Sequence, residues 1–188
     1  MTAIRLRALI AAPNPTVLAG CYDGVSARLV QQAGFQAAHM SGFAVAGSLL
    51  GKPDVGLLTM TEMADAASRL ARVLSIPLLA DADTGYGNAL NVVRTVEAYI
   101  AAGVAGMHLE DQQMPKRCGH LAGKTVVSPD EMASKLRAAI DTRDDAGIDM
   151  VIIARTDARA EEGLGAALER ARRYRDAGAD MLFVEALQ

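Results

Sequence analysis

The segment with the most chemical potential is the run KRCGH at 116–120, in which Cys118 is flanked by Lys116, Arg117 and His120. Basic neighbours lower the pKa of a thiol, so this thiol could give or take a proton near neutral pH. Cysteine is usually buried, which makes a thiol in so polar a segment unusual as a structural residue. The alternative is a solvated basic loop with an incidental cysteine. The pattern favours an acid–base thiol on a loop whose two glycines permit motion.

A second group of candidate residues is acidic. Asp81, Asp83, Glu110 and Asp111 close or follow apolar runs of strand length, and like charges gathered in one place are costly unless a cation neutralises them. Oxygen ligands without paired His or Cys favour a hard ion, Mg²⁺ or alternatively Mn²⁺, held with several waters. The alternative is that these acids cap the following helices or pair with lysines.

Other reactive side chains receive a structural interpretation. Cys21 ends an apolar run, so we expect a small core residue there. His39 and His108 lie inside apolar strands, where a hydrogen-bonded core histidine is expected more than a ligand.

Two glycine motifs do not predict a nucleotide site. The segment 47–53 resembles a P-loop, but its glycines are one residue too close together and Pro53 replaces the required Ser or Thr. The segment 85–87 resembles a dinucleotide loop, but Leu90 replaces the third glycine.

The elements that must position these residues alternate along the chain. Apolar runs predict strands at 17–21, 37–41, 77–82, 106–110, 150–155 and 181–185. Segments of helical periodicity lie at 24–33, 61–74, 89–102, 129–143 and 164–177. The strands read as continuous apolar runs, which is typical of parallel strands covered on both faces. The chain is therefore predicted to be an α/β protein with a parallel sheet.

A weak internal repeat favours a barrel. Gly34, Gly103 and Gly178 each close a predicted helix and precede a strand. All six predicted strands end in polar groups, as expected of a (β/α)₈ barrel, in which every strand contributes to one mouth. Only about six βα units are visible. We expect residues 1–188 to form one barrel domain that lacks the last two βα units.

Composition excludes several classes of protein. The chain has 188 residues, 51% hydrophobic, with a formal net charge of −3, so a disordered or strongly basic nucleic-acid-binding chain is not expected. Trp is absent and only three Phe and four Tyr are present, which argues against a base-stacking platform. No apolar run is long enough for a membrane span. We expect a cytoplasmic protein without nucleic-acid or membrane partners.

Several motifs together resemble a known family. The runs DADTGYG at 81–87, LEDQ at 109–112 and KRCGH at 116–120 are similar to those of the isocitrate lyase/phosphoenolpyruvate mutase superfamily, and KRCGH matches the lyase signature of its 2-methylisocitrate lyase-like branch. Further similar segments occur in the expected order at 41–42, 53–54, 154–158 and 183–186. The resemblance covers essentially the whole chain.

The resemblance implies a Mg²⁺-dependent site for a 2-oxo acid or a di- or tricarboxylate. It also implies a homo-oligomer built as a dimer of dimers, in which subunits exchange a C-terminal swapped helix that residues 1–188 would lack. Asp81 would contact Mg²⁺ directly, and Asp83 and Glu110 would act through its waters. Cys118 would transfer a proton, with Lys116, Arg117 and His120 keeping the thiol poised. The implied substrate-binding residues are Ser41, Gly42, Phe43, Asp54, Arg155 and Glu185.

The implied reaction is cleavage of a carbon–carbon bond in a 2-hydroxy tricarboxylate such as 2-methylisocitrate or isocitrate, giving an oxo acid and succinate. Phe43 leaves alternatives open, because methylisocitrate lyases usually carry glycine at this position. These alternatives are oxaloacetate hydrolase, 2,3-dimethylmalate lyase and carboxyphosphonoenolpyruvate mutase. A non-catalytic fragment that binds dicarboxylates is an alternative of another class.

Overall fold

The computed structural model describes residues 2–187, in which parallel strands alternate with helices. The strands are β1 (Leu18–Cys21), β2 (Ala37–Met40), β3 (Leu78–Asp81), β4 (Gly106–Glu110), β5 (Val151–Thr156) and β6 (Met181–Val184). The helices are α1 (Thr2–Ile10), α2 (Gly24–Gln32), α3 (Gly42–Leu50), α4 (Met60–Val73), α5 (Ala89–Ala102), α6 (Pro129–Asp145), α7 (Ala158–Glu162) and α8 (Leu164–Asp176).

The strands form one curled sheet in the order β1-β2-β3-β4-β5-β6, with every neighbouring pair parallel. The predicted α/β barrel architecture with about six βα units is confirmed. Each predicted strand and helix is present, with ends that differ by at most two residues. Because the order follows the chain, all six carboxyl ends meet at one rim.

Three helices were not predicted: α1, α3 and α7. Helix α3 contains the segment interpreted above as a poor P-loop. The Ser41 side chain caps its start by accepting from the Ala44 N–H, and Gly51 ends it in the left-handed conformation at φ 61°. The segment is therefore the end of a helix, which agrees with the rejection of a phosphate loop.

Side chains along each strand point alternately to the outer and the inner face of the curled sheet, and the two faces have different surroundings. Outward side chains such as Met40, Ala80 and Leu109 join the large core between the sheet and the helices. Inward side chains at the amino end of the sheet, such as Val151 and Ile153, form a small apolar cluster with Leu6 of α1. Inward side chains nearer the carboxyl end are polar except Phe183. The inner face of the sheet is thus apolar at the amino ends of the strands and carries the polar side chains at their carboxyl ends.

The helix ends follow the predicted signals. Thr59 and Glu62 form a capping box at the start of α4, and the Ser128 side chain accepts from the Glu131 N–H at the start of α6, with Pro129 in the first turn. Gly34 and Gly103 both take positive φ at helix ends, as the repeat predicted. Within residues 2–187, no helix combines the length and apolarity needed to cross a membrane.

The left-handed conformation of Gly103 at the end of α5 leads to a prediction about stability. Gly103 has φ 84°, so Gly103→Ala should lower the free energy of unfolding by about 1 kcal/mol through backbone strain. Gly47 is exposed in the middle of α3, where an added Cβ meets nothing within 4 Å. Gly47→Ala is the matched control and should raise stability by about 0.5 kcal/mol. Urea unfolding measures both changes, and equal effects in the two variants would contradict the cap assignment.

Candidate active site at the strand ends

A cavity of about 510 Å³ lies at the carboxyl ends of the strands. It is lined by eleven of the thirteen predicted site residues: Ser41, Phe43, Asp54, Asp81, Glu110, Lys116, Arg117, Cys118, His120, Arg155 and Glu185. The other two, Gly42 and Asp83, lie directly behind it in contact with Asp81. The fold therefore brings these thirteen residues together.

Asp81 ends β3 and is held by two backbone donors. The Gly42 N–H donates to Oδ2 at 3.0 Å, and the Asp83 N–H donates to Oδ1 at 2.9 Å. A Cβ at position 42 would lie 2.7 Å from Oδ2, so glycine is required for this approach. Burial opposes ionisation, but His108, Lys116 and Arg155 outweigh it and lower the pKa of Asp81. Asp81 is therefore the fixed carboxylate of the site.

The Lys116 side chain extends into the acidic cluster and contacts two of its carboxylates. Its Nζ lies 2.6 Å from Asp54 Oδ1 and 2.5 Å from Asp83 Oδ1, and all three side chains are buried. Burial opposes the lysine charge, but Asp83 and Asp81 raise the Lys116 pKa. Burial and the charge of Asp81 raise the pKa of Asp83 to about 7. Lys116 thus neutralises carboxylates on two different segments.

Arg155, on β5, forms the opposite wall. Its guanidinium donates to both Asp157 carboxylate oxygens at 3.0 Å, and it lies 3.5 Å from Glu110 and 3.6 Å from Glu185. The Phe183 ring packs against the guanidinium, with 5.3 Å between its centroid and Cζ. These contacts therefore fix the orientation of the Arg155 guanidinium, whose planar shape is suited to binding a carboxylate.

The oxygen donors of the cavity fit a divalent cation. Glu110 is 1% exposed, burial raises its pKa well above the usual range, and its Oε1 has no hydrogen-bond partner. Over the described residues 2–187, no three His, Cys, Asp or Glu side chains converge as direct ligands of one metal. The oxygen donors and the unpartnered carboxylate fit a hard cation held by one direct carboxylate and by waters. The individual metal roles stay predictions.

Two histidines lie beneath these carboxylates. His39 Nε2 and His108 Nε2 are 3.1 Å apart, so one ring donates to the other. Burial lowers the pKa of His39 and lowers that of His108 to about 4, which keeps both rings neutral at pH 7. The hydrogen bond agrees with the prediction, but both rings also line the cavity. Sequence reasoning missed that position because it did not separate the inward face of each strand from the outward face.

Cys118 lies on a segment that covers the cavity. Its N–H donates to the Asp54 carbonyl at 3.0 Å, and its side chain is half-buried. The basic neighbours point in different directions: Lys116 enters the acidic cluster, whereas exposed Arg117 donates to the Ala122 carbonyl. The structure therefore places the thiol beside the acidic cavity, while Lys116 contacts carboxylates.

Asp111 does not join the acidic cluster, contrary to the expectation above. It accepts hydrogen bonds from Thr156 Oγ1 and Tyr174 OH, each at 2.7 Å, and from the Asp157 N–H at 2.9 Å. Arg170 lies 3.4 Å away. One residue beyond Glu110, the side chain points to the opposite face, since directions alternate along a strand. Asp111 therefore anchors β5 and α8.

Two further residues were missed by sequence reasoning. Phe183 lines the cavity from β6, and two signals pointed to it: the family-like segment 183–186 and its position two residues before Glu185 on the same face. Gln112 donates from Nε2 to the Arg117 carbonyl and accepts from the Arg117 N–H, both at 2.8 Å. Gln112 therefore shapes the covering segment.

The fold and the site define a parallel α/β barrel protein with a carboxylate-rich pocket at its strand ends. The family model described as phosphoenolpyruvate phosphomutase matches residues 6–188. The chain belongs to this family, within the phosphoenolpyruvate mutase/isocitrate lyase superfamily.

Several relatives in this superfamily are lyases by name. The 2,3-dimethylmalate lyase of Eubacterium barkeri is 48% identical over 98% of this chain and 63% of its own length. The 2-methylisocitrate lyase of Escherichia coli is 49% identical over 96% of this chain and 61% of its own length. The chain thus spans about three-fifths of these relatives.

Solved structures show the same fold. An oxaloacetate acetylhydrolase in complex with 3,3-difluorooxalacetate superposes with a TM-score of 0.95 and 44% identity, over 99% of this chain and 64% of the other. A phosphonopyruvate hydrolase in complex with oxalate and Mg²⁺ gives 0.89 and 34%, over 100% and 64%.

The two thiols should differ in reactivity. Cys21 is fully buried, and burial raises its pKa to about 11, whereas Cys118 is half-buried beside the cavity. Iodoacetamide at pH 8 should modify Cys118 and leave Cys21 unmodified until the protein unfolds. Mass spectrometry of the peptides measures both rates. Faster modification of Cys21 in the folded protein would contradict this geometry.

The acidic cluster should bind Mg²⁺ through Asp81. Saturating Mg²⁺ should raise the melting temperature by roughly 2–4 °C, and Asp81→Asn should abolish this rise because the amide carries no charge. Asp65→Asn is the matched control, since Asp65 is exposed and pairs with Arg69 on α4. Differential scanning fluorimetry with and without Mg²⁺ provides the measurement. A Mg²⁺-dependent rise retained in Asp81→Asn would remove Asp81 as the ligand.

Proposed function

We propose that this chain carries the active site of a Mg²⁺-dependent carbon–carbon lyase that cleaves a 2-hydroxy tricarboxylate of the 2-methylisocitrate type into an oxo acid and succinate. The observation that carries the proposal is the single cavity that joins the Cys118 thiol, the Arg155 guanidinium and the carboxylates of Asp81 and Glu110. The names of the relatives support the same class of reaction. Mn²⁺ is the alternative cation.

Substrate binding follows from the two walls of the cavity. Arg155 offers a planar guanidinium to a substrate carboxylate, and its bonds to Asp157 keep that group in position. The Gly42 N–H already donates to Asp81, so the Ser41 hydroxyl is the better donor to the oxo-acid end. Phe43 lies at the mouth, and Asp54 and Glu185 complete the polar wall.

The chemistry divides between the cation and the protein. Bound Mg²⁺ would stabilise the negative charge that develops on the substrate hydroxyl oxygen. Asp81 would bind the cation, and Asp83 and Glu110 would hold its waters. The substrate hydroxyl loses its proton to a buried carboxylate of the acidic cluster. The carbon–carbon bond breaks as the new carbonyl forms, and its electron pair stays on the departing fragment. The Cys118 thiol donates the proton that this carbon needs and is left as a thiolate. Arg117 adds positive charge at the mouth, and His120 adds a hydrogen-bonding side chain there.

A second substrate class is supported by a specific residue. Phe43 lines the mouth and is 60% exposed, and it occupies the position where methylisocitrate lyases usually carry glycine. A ring there narrows the entrance and would favour the smaller acids, 2,3-dimethylmalate or oxaloacetate. Carboxyphosphonoenolpyruvate mutase activity stays a third alternative. The expected cytoplasmic location, dimer-of-dimers assembly and domain organisation are parts of the same proposal.

Activity measurements test the proposal. The protein is incubated with Mg²⁺ and, separately, with 2-methylisocitrate, isocitrate, 2,3-dimethylmalate and oxaloacetate, and the oxo-acid or oxalate product is measured. Release of pyruvate from 2-methylisocitrate is the expected result. If no acid is cleaved but a dicarboxylate raises the melting temperature, the lyase proposal fails and a binding protein remains.

Replacement of Cys118 tests whether its thiol transfers the proton. Cys118→Ser should lower the turnover rate by a factor of about 10² or more, since a serine hydroxyl is a far weaker acid than a thiol. Melting-temperature shifts with Mg²⁺ and oxalate should persist in this variant. Cys21→Ala is the control, because Cys21 lies outside the cavity, and it should keep wild-type turnover. An unchanged rate in Cys118→Ser would exclude the thiol from proton transfer.

A further inference from the structure

The segment that carries Cys118 spans residues 113–125 and is here called the thiol loop. Its base is closed by backbone hydrogen bonds: the Gln113 N–H donates to the Thr125 carbonyl, and the Val127 N–H donates to the Asp111 carbonyl, both at 2.8 Å. The base is therefore tied to the end of β4. The position of the tip depends on other contacts.

The tip is held differently before and after the thiol. Up to Cys118, Gln112 binds both backbone groups of Arg117, and Asp54 accepts from the Cys118 N–H. Beyond Cys118, the backbone turns back, with the Leu121 N–H donating to the Cys118 carbonyl. The side chain that reaches this second half from the base of the loop is Lys124.

Lys124 places a buried charge against the loop backbone. Its side chain is 2% exposed, and its Nζ donates to the Gly119 carbonyl and, at 3.1 Å, to the Leu121 carbonyl. A buried ammonium group is costly unless its protons have acceptors. The ammonium therefore stabilises the loop conformation in which both carbonyls face it, and an open loop would remove both acceptors at once.

Lys124 also links the loop to the substrate clamp. Its Nζ lies 3.9 Å from Asp157 Oδ1, and Asp157 binds Arg155 through both carboxylate oxygens. At the tip, a Cβ on Gly119 would overlap Glu185 and lie 2.6 Å from Arg155 Nη2. The closed tip thus rests directly on the clamp, with Lys124 behind it.

We propose that Lys124 is a positioning residue for Cys118: its buried ammonium holds the second half of the thiol loop closed over the cavity and ties it to the strand end that carries Arg155. This role of Lys124 goes beyond the proposed function, because it concerns the thiol loop and requires no substrate. Its first two tests are made without substrate and so succeed or fail independently of lyase activity.

The first test measures thiol accessibility. Lys124→Met keeps the length of the side chain and removes its donors, so iodoacetamide should modify Cys118 about tenfold faster, as expected when charged hydrogen bonds that restrain local opening are lost. Cys21 should stay protected, which excludes global unfolding. Lys135→Met is the matched control, since Lys135 is equally buried and donates to the Thr84 carbonyl on another segment. Equal Cys118 rates in wild type and Lys124→Met overturn the proposal.

A second test does not depend on Lys124→Met folding. Acetylation of amines in the wild-type protein, mapped by mass spectrometry, should leave Lys124 and Lys135 protected relative to exposed Lys52. Gly119→Ala displaces the tip from Arg155, so it should expose Lys124 to acetylation and leave Lys135 protected. Rapid labelling of Lys124 in the wild type, or continued protection in Gly119→Ala, overturns the proposal.

If turnover is detected, kinetics provide a further readout. Lys124→Met should lower kcat more than it raises KM, because Arg155 and Asp81 still bind the substrate while the thiol is misplaced. Lys124→Arg retains donors to backbone carbonyls and should restore part of kcat. Equal losses in the methionine and arginine variants would show that the donors are irrelevant and overturn the proposal.

Discussion

Crowding of buried carboxylates at one rim is the constraint on which the rest of the site depends. Asp54, Asp81, Asp83, Glu110 and Glu185 are all buried there. Lys116 and Arg155 are the cations that approach them most closely. Removing either cation would leave buried negative charge without a partner, which is among the most costly changes a protein interior can suffer. The remaining negative charge makes the rim suited to a further cation.

The same constraint explains how the loops are arranged. Lys116 lies on the thiol loop, and Asp54 lies on the segment after α3, so their ion pair brings two distant segments together over the cavity. The Cys118 N–H then donates to the Asp54 carbonyl. Charge pairing therefore places the thiol. Glycines at 42 and 119 allow the backbone to approach Asp81 and Arg155 where a Cβ would collide.

Much of the fold was predictable because its signals are local. Apolar runs located all six strands, and caps such as Thr59 and Ser128 located helix starts to within one residue. Helix α3 was missed because its glycines resemble a loop. The candidate residues that line the cavity lie together because parallel strands end at one rim. Asp111 was misplaced because a shared rim does not decide which face each residue takes.

The sequence by itself determined the alternation of strands and helices, the polar residues at the strand ends and the family resemblance, because these depend on residue type and spacing. Only the tertiary structure decided that His39 and His108 pair beneath Asp81, that Asp111 faces α8, and that Lys116 contacts carboxylates. It also decided that Lys124 reaches the loop carbonyls. The direction of each side chain and the partner that it contacts depend on the twist of the sheet and on which charges are buried together. Residues far apart in the sequence decide both.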